Sequence, residues 1–311
     1  MRILFVKTSS LGDVVHNCPA VSEAARRIPG ASVDWVVEEP FDEIAALHGA
    51  VRRVIPVAIR RWRAALHAPG TWGELLRFRE EIQKEHYDCI IDTQGLLKSA
   101  LVAFLAHGPR HGYDRASARE PVAARFYARR HEVDVRLHAV ERNRRLTGAA
   151  LGYASAGDCD YGLRVTASGA DSQALLFTMT SRADKLWPEA SWQALGAALA
   201  GRGLRCVLPW GSEEERLRSE RIASGIRNAV VPSAMPLQEI ARLAAGAACV
   251  IGVDTGLTHV AAAVGAPVLG LYCGSDPALT GLYGSARARN LGGLGRPPGV
   301  DEVIGALQGL G

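Results

Sequence analysis

Long hydrophobic runs are missing from this sequence. None approaches the roughly 18 to 20 uninterrupted apolar residues that span a bilayer. The opening Met1-Arg2-Ile3-Leu4-Phe5-Val6 is too short for a signal-peptide apolar region and runs into a polar turn. The expectation is a cytoplasmic chain, at most peripheral on a membrane. Paired cysteines are missing too. Cys18, Cys89, Cys159, Cys206, Cys249 and Cys273 show neither CxxC nor Cys/His ligand spacing. Buried free thiols in a reducing compartment explain that scatter better than disulfides or zinc. No GxxxxGKS or GxxxxGKT sequence occurs, which excludes a P-loop nucleotide hydrolase, and no GxGxxG with a following acidic residue, which argues against a dinucleotide dehydrogenase. Lysine is scarce. Nearly all of the 36 cationic residues are arginine, and many lie between Arg52 and Arg145, a choice suited to bidentate contact with phosphate and carboxylate. The formal charge of +4 is mild and points to no nucleic-acid partner.

What is present is an ordinary globular composition, 48% apolar and 22% charged, over 311 residues. That length suits two domains of about 150 residues each. Apolar runs of strand length alternate with helical segments, the pattern of parallel α/β folding. In the first half the strands are Ile3–Lys7, Ser32–Val37, Val51–Ile55 and Asp88–Asp92. Helices run over Val14–Arg27, from Phe41, over Thr71–Glu85 and over Leu96–Ala106. Between Val57 and Thr71 the pattern fails, and Arg60-Arg61-Trp62-Arg63 reads as a basic loop, solvated or gripping an anionic, partly greasy ligand. Gly152–Ser168 is the candidate linker, dividing the chain into 1–160 and 161–311.

The second half repeats the logic. Strands are expected at Ala174–Met179, Leu204–Leu208, Val230-Val231, Cys249–Ile251 and Val268–Tyr272. Helices are expected over Glu189–Ala200, after Ser212, over Pro236–Ala245, Leu257–Val264 and Asp301–Leu310. The segment Gly292–Gly299 reads as a crossing segment that returns the last helix to the first lobe.

Polar residues gather at the carboxyl ends of the strands, where open α/β sheets bind ligands. In the first lobe these are Lys7, Ser9, Ser10, Asp13 and His16, then Asp92 and Gln94. In the second they are Thr180, Ser181, Lys185 and the turn Asp254-Thr255-Gly256, suited to a diphosphate held by hydroxyls, a lysine and helix-start N–H groups. A tight turn with no ligand fits the same turn. Glu215 suits ribose hydroxyls, but Ser212 with Glu215 three later is equally a capping box. Asp13 is equally an N-cap of the helix after it. His16 and His259 read first as structural, with His259 the better placed for a phosphate. No carboxylate pair has a metal-site pattern, so no metal is assigned.

Three motifs carry a resemblance along essentially the whole chain: Lys7–His16 (KTSSLGDVVH), Thr180–Pro188 (TSRADKLWP) and Gly252–His259 (GVDTGLTH). With Ala58–Arg63 and Asp92–Ser99 they resemble the lipopolysaccharide heptosyltransferase I family, within glycosyltransferase family 9. The resemblance implies a GT-B fold, two Rossmann-like lobes facing each other across a cleft. It implies transfer of L-glycero-D-manno-heptose from ADP-heptose to the first Kdo of Kdo2-lipid A, with inversion. It implies an acceptor-binding first lobe and a donor-binding second lobe. Asp13 would be the general base, its pKa raised by burial on closure. Lys185, Thr180 and Ser181 would hold the donor diphosphate with Asp254, Thr255, Gly256 and His259. Glu215 would meet the ribose and Met235 the adenine. Ser9, Ser10, Gly12, Gln94, Arg60, Arg61, Arg63 and Arg119 would meet the acceptor, with Ala64 where relatives carry another basic residue. A monomer, peripheral on the cytoplasmic face of the inner membrane and without an obligatory metal, completes the expectation. A later heptosyltransferase using a heptose acceptor, a non-catalytic two-lobed binding protein and a nucleotide-sugar epimerase are the alternatives.

Overall fold

The computed structural model describes residues 1–168 and 171–310. The chain divides into two compact units, Met1–Leu163 and the chain from Arg164 onward.

The first unit is built on strands β1 (Arg2–Val6), β2 (Ser32–Glu38), β3 (Val51–Val57), β4 (Cys89–Asp92), β5 (Arg110–Tyr113) and β6 (Arg129–His131). They form one sheet, ordered β3-β2-β1-β4-β5-β6, with every pairing parallel. Helices α1 (Leu11–Arg27), α2 (Asp42–Ala46), α3 (Ile59–Ala64), α4 (Pro69–Gln83), α5 (Leu97–Leu105) and α6 (Ala139–Leu151) surround it. Ile3, Leu4, Phe5 and Val6 of β1 are fully buried because both faces of a parallel sheet are covered. On one face Trp62, Phe78, Ile82 and Val102 of α3, α4 and α5 pack onto Leu4, Val6, Ile55 and Ile90.

The second unit places β7 (Gln173–Phe177), β8 (Arg205–Val207), β9 (Cys249–Val253), β10 (Val268–Tyr272) and β11 (Ala288–Gly292) in the parallel order β11-β10-β9-β7-β8. Its helices are α7 (Glu189–Gly201), α8 (Glu213–Ser224), α9 (Leu237–Gly246), α10 (Gly256–Ala263), α11 (Pro277–Thr280) and α12 (Val300–Ala306). The expected strand at Val230-Val231 is reduced to a single parallel bridge between Val230 and Val207.

Several expectations are corrected. The basic run after Val57 is not a loop. It forms α3, whose Trp62 is buried, its ring 5.6 Å from Phe78 and its Nε1 donating to Glu74 at 2.7 Å. Arg61 forks onto Glu39 and Glu74. Glu39 and Glu74, distant in sequence, pair with Arg61 of the run, and local sequence cannot display them. Strands β5 and β6, RHGY and RRH, escaped notice because they carry almost no apolar pattern. Gly112 of β5 is required by packing, since a Cβ there would lie 2.3 Å from the Tyr127 ring. The candidate linker is partly tied down. Ala156 N–H donates to Glu23, the buried partner of Arg144, and Leu163 bridges to His48.

The terminal helix, expected to return to the first lobe, belongs to the second unit. Val303 and Leu310 join Trp187, Trp192 and Leu195 in the core of the second. The Trp187 indole N–H donates to the Pro298 carbonyl at 2.9 Å and anchors the approach to α12. Trp187→Phe removes that donor at a site 1% exposed. The expected loss is about 1–2 kcal/mol of stability, from the unmade bond and lost packing. A thermal melt unchanged from wild type would count against this anchor.

Candidate active site

In the first unit β1 ends at Val6, and Lys7-Thr8-Ser9-Ser10 turns into α1 with Ser10 as its N-cap. Asp13 is therefore the third helical residue, not the residue before the helix. Its Oδ2 accepts from the Ser10 N–H at 3.1 Å, the carboxylate half of a capping box. The same carboxylate takes a guanidinium fork from Arg119, at 3.2 and 3.3 Å. Lys7, Gln94, Tyr113, Arg142 and Asn143 line the pocket with them. The Lys7 ammonium donates to the Thr93 carbonyl at 2.9 Å and to Asn143 at 3.4 Å.

Burial lowers the Lys7 pKa to about 8, partly opposed by the Asp13 charge. Burial pushes Asp13 the other way, upward. The charges of Lys7 and Arg119, with the Ser10 hydrogen bond, outweigh it and leave the carboxyl below its ordinary value. The rise expected on closure concerns a different state; in the chain as it stands two cations face the group and hold it down. Asp13 is an ionised carboxylate in a basic pocket.

The other first-lobe candidates divide. Gln94 is spent on the turn: its Oε1 accepts from the N–H groups of Thr8 and Ser9 at 3.0 and 3.2 Å, and its amide donates back to the Ser9 carbonyl. Ser9 is buried and its hydroxyl accepts from Lys98 at 2.7 Å. Ser10 is exposed, and Gly12 lies in the first turn of α1. Arg119 is joined to Asp13, whereas Arg61 is committed to Glu39 and Glu74. Arg60 and Arg63 are exposed on α3, and the Arg60 guanidinium stands 5.9 Å from the Phe41 ring. His16 is buried beside His138, their rings 5.4 Å apart. Asp92 is also internal, accepting from Gln94 N–H, Gly95 N–H and the Tyr127 hydroxyl.

In the second unit the centre is Asp254, just past β9. Its Oδ2 receives Lys185 Nζ and the Ser275 hydroxyl, each at 2.6 Å, and its Oδ1 lies 3.5 Å from His259 Nε2. Thr180 donates its hydroxyl to the Asp254 carbonyl at 3.0 Å. Burial would raise the Asp254 pKa, but hydrogen bonds from His259, Lys185 and Ser275 hold it well below the usual carboxylate range. Thr255 is the N-cap of α10 and Gly256 its first residue. Gly252 is required by close approach, since a Cβ would lie 2.1 Å from the Thr258 hydroxyl. That hydroxyl donates to the Val253 carbonyl at 2.7 Å and locks the turn. Thr180, Lys185, Asp254, Thr255, Gly256 and His259 thus converge, and the arrangement of ammonium, hydroxyls and helix start suits a diphosphate.

Ser181 is exposed beside this cluster. Glu215 has one oxygen committed to the Gly211 N–H at 2.6 Å, and its own N–H donates to Ser212, so its capping function is realised. Met235 is half-buried against the core around Phe177, Ile240 and Ala261. Ser275, Arg142, Asn143 and Tyr113 were not anticipated. Ser275 follows a strand carboxyl end, a usable signal; Arg142 and Asn143 sit inside α6, where nothing local marks them. Among the described residues no group of three or more His, Cys, Asp or Glu is placed to hold a metal. No helix among them is long and apolar enough to cross a membrane.

The family Glycosyltransferase family 9 (heptosyltransferase) matches residues 75–301. The chain is 49% identical over 295 residues to lipopolysaccharide heptosyltransferase 1 of Pseudomonas aeruginosa, covering 92% of this chain and 82% of that one. It resembles the solved E. coli heptosyltransferase WaaC with ADP, with a TM-score of 0.90 and 42% identity, over 99% of this chain and 98% of that one. The same E. coli enzyme with ADP-2-deoxy-2-fluoro heptose gives a TM-score of 0.87 at the same identity and coverage. The two parallel-sheet units are those of the GT-B type. The chain belongs to glycosyltransferase family 9, the heptosyltransferases.

Proposed function

We propose that this heptosyltransferase moves L-glycero-D-manno-heptose from ADP-heptose to the first Kdo of Kdo2-lipid A, inverting the anomeric carbon. The observation that carries the reading is the cluster of Lys185, Ser275, Thr180 and the α10 start around Asp254. It occurs in a chain 42% identical to an enzyme solved with ADP and with ADP-2-deoxy-2-fluoro heptose.

On this reading Lys185, Thr180, Ser181, Thr255, Gly256 and His259 hold the donor diphosphate. Lys185 offsets the negative charge that grows as ADP departs from an oxocarbenium-like centre. Asp13 accepts the proton of the acceptor hydroxyl. A carboxylate held below its ordinary pKa is a weak base for a sugar hydroxyl, and it serves here because the proton moves late. Asp254 positions Lys185 and does not touch the reacting atoms. Glu215 and Met235 meet the ribose and adenine. Arg119, Arg60 and Arg63 meet anionic groups of the acceptor, and Arg61 and Gln94 hold the elements that carry them. No metal ligand is assigned. The enzyme works as a monomer on the cytoplasmic face of the inner membrane.

The test is ADP release from ADP-heptose with Kdo2-lipid A, with a heptosylated acceptor, and with none. The expected result is release with Kdo2-lipid A and a product of inverted anomeric configuration by NMR. Faster turnover of the heptosylated acceptor would reassign the enzyme to a later step. Tight donor binding without release would make it a binding protein, and donor consumed without acceptor would favour an epimerase.

A further inference from the structure

The outer flanks of α4 and α5 carry a surface that the transfer chemistry does not use. Trp72 and Leu76 on α4 and Leu101 and Phe104 on α5 are between 47 and 58% exposed. Both helices bury their other sides against one sheet face, through Phe78 and Ile82 and through Val102 and Ala103. Gln83, two turns beyond Leu76, donates to the Leu105 carbonyl at 2.8 Å. Residues two turns apart share a helix side, so the Leu76 flank lies beside α5. Phe104 extends the patch to the Phe126 ring, 6.1 Å away, at the end of the 3-10 turn Pro121–Phe126.

Cations border these apolar side chains. Arg79 and Glu80 are both exposed one turn from Leu76, Arg77 is exposed beside it, and Arg125 is exposed on the 3-10 turn, so these arginines outnumber that carboxylate. Arg115, Arg125 and Arg130 line a hollow beside Val122. Apolar side chains framed by arginine are the chemistry that seats a protein on an anionic bilayer. A second copy fits less well, because two such faces would bring like charges together.

We infer that the outer face of α4 and α5, with its arginine border, docks this protein on an anionic lipid bilayer. The inference rests on the proposed lipid acceptor and says which face meets its membrane. The face adjoins the pocket of the first unit, since Lys98 in the first turn of α5 donates to Ser9 in the turn before Asp13. A lipid whose acyl chains stay in the bilayer beside α5 therefore has its sugars near that turn.

The test is sedimentation of the intact protein with phosphatidylcholine vesicles, with and without phosphatidylglycerol, in the absence of donor and acceptor. Wild type is expected to pellet with the anionic vesicles. Leu101→Ser/Phe104→Ser should reduce that partition by roughly tenfold or more, from the apolar area no longer buried. Arg79→Glu/Arg125→Glu should abolish the preference for phosphatidylglycerol without altering the fold, because both side chains are exposed. The proposal is overturned if wild type stays in solution, or if both variants bind as wild type does. It is overturned equally if the apolar pair only dissociates a dimer. Because no transfer is scored, failure of the heptosyltransfer reading would show in ADP release and leave the vesicle result standing.

Discussion

Asp13→Asn is expected to lower kcat for heptose transfer by about a thousandfold, the usual scale for losing a general base. Donor binding should survive, because Asp13 belongs to the first unit and its contacts are Ser10, Lys7 and Arg119. The substitution is nearly isosteric, so the fold around α1 persists, although an amide nitrogen cannot accept from Arg119 as an oxygen does. Single-turnover transfer together with ADP-heptose affinity measures the split. Near-normal turnover would remove Asp13 from the chemistry and leave it a helix cap.

The same residue sets a pH expectation. Its folded-state carboxyl lies below the ordinary value of 3.8, chiefly because Lys7 and Arg119 overcome burial. Asp13 is then ionised through the neutral and weakly acidic range, and kcat/KM should stay flat there, since that profile reports the free enzyme. A depressed carboxyl pKa also contributes stability that is present above the unfolded value and lost as pH falls through the folded one. An acid limb above pH 3.8 in kcat alone would mark a raised pKa in the substrate complex.

Lys185→Ala should lower kcat/KM by about a hundredfold or more, comparable to losing a donor that stabilises developing charge. Two effects combine. The ammonium that would face the leaving diphosphate is gone, and Asp254 loses its ion-pair partner at 2.6 Å. The freed carboxylate, 8% exposed, then stands beside the diphosphate position and repels it. Lys185→Ala/Asp254→Asn should therefore recover part of the loss, a non-additive result expected of residues in direct contact. Unchanged ADP-heptose affinity and turnover in the single variant would take Lys185 out of the donor site.

Much of the fold was legible in the residues because buried parallel strands declare themselves. Ile3–Val6, Cys249–Val253 and Val268–Tyr272 are continuous apolar runs that only a doubly covered sheet accommodates. The polar turns after them then fall on the ligand-binding edge by topology, which is how Asp13, Thr180, Lys185 and Asp254 could be singled out. Three kinds of feature were not legible. Strands β5 and β6 carry polar sequences, so their pairing is imposed by neighbouring strands and by the Gly112–Tyr127 contact. Helix α3 forms because Glu39, Glu74 and Phe78 lie opposite Arg61 and Trp62. The destination of α12 was set by Trp187 and the second core, more than a hundred residues earlier in the chain than its approach at Pro298.

The sequence by itself determined the parallel α/β plan and which polar turns lie at the carboxyl ends of its strands, because strand burial and turn polarity are local properties. Only the tertiary structure decided how each group is charged and what each arginine holds. Asp13 meets Lys7 and Arg119, Asp254 meets Lys185 and Ser275, and Arg61 is occupied by two glutamates. Partners brought together from far along the chain set those electrostatics, and no window of sequence contains them.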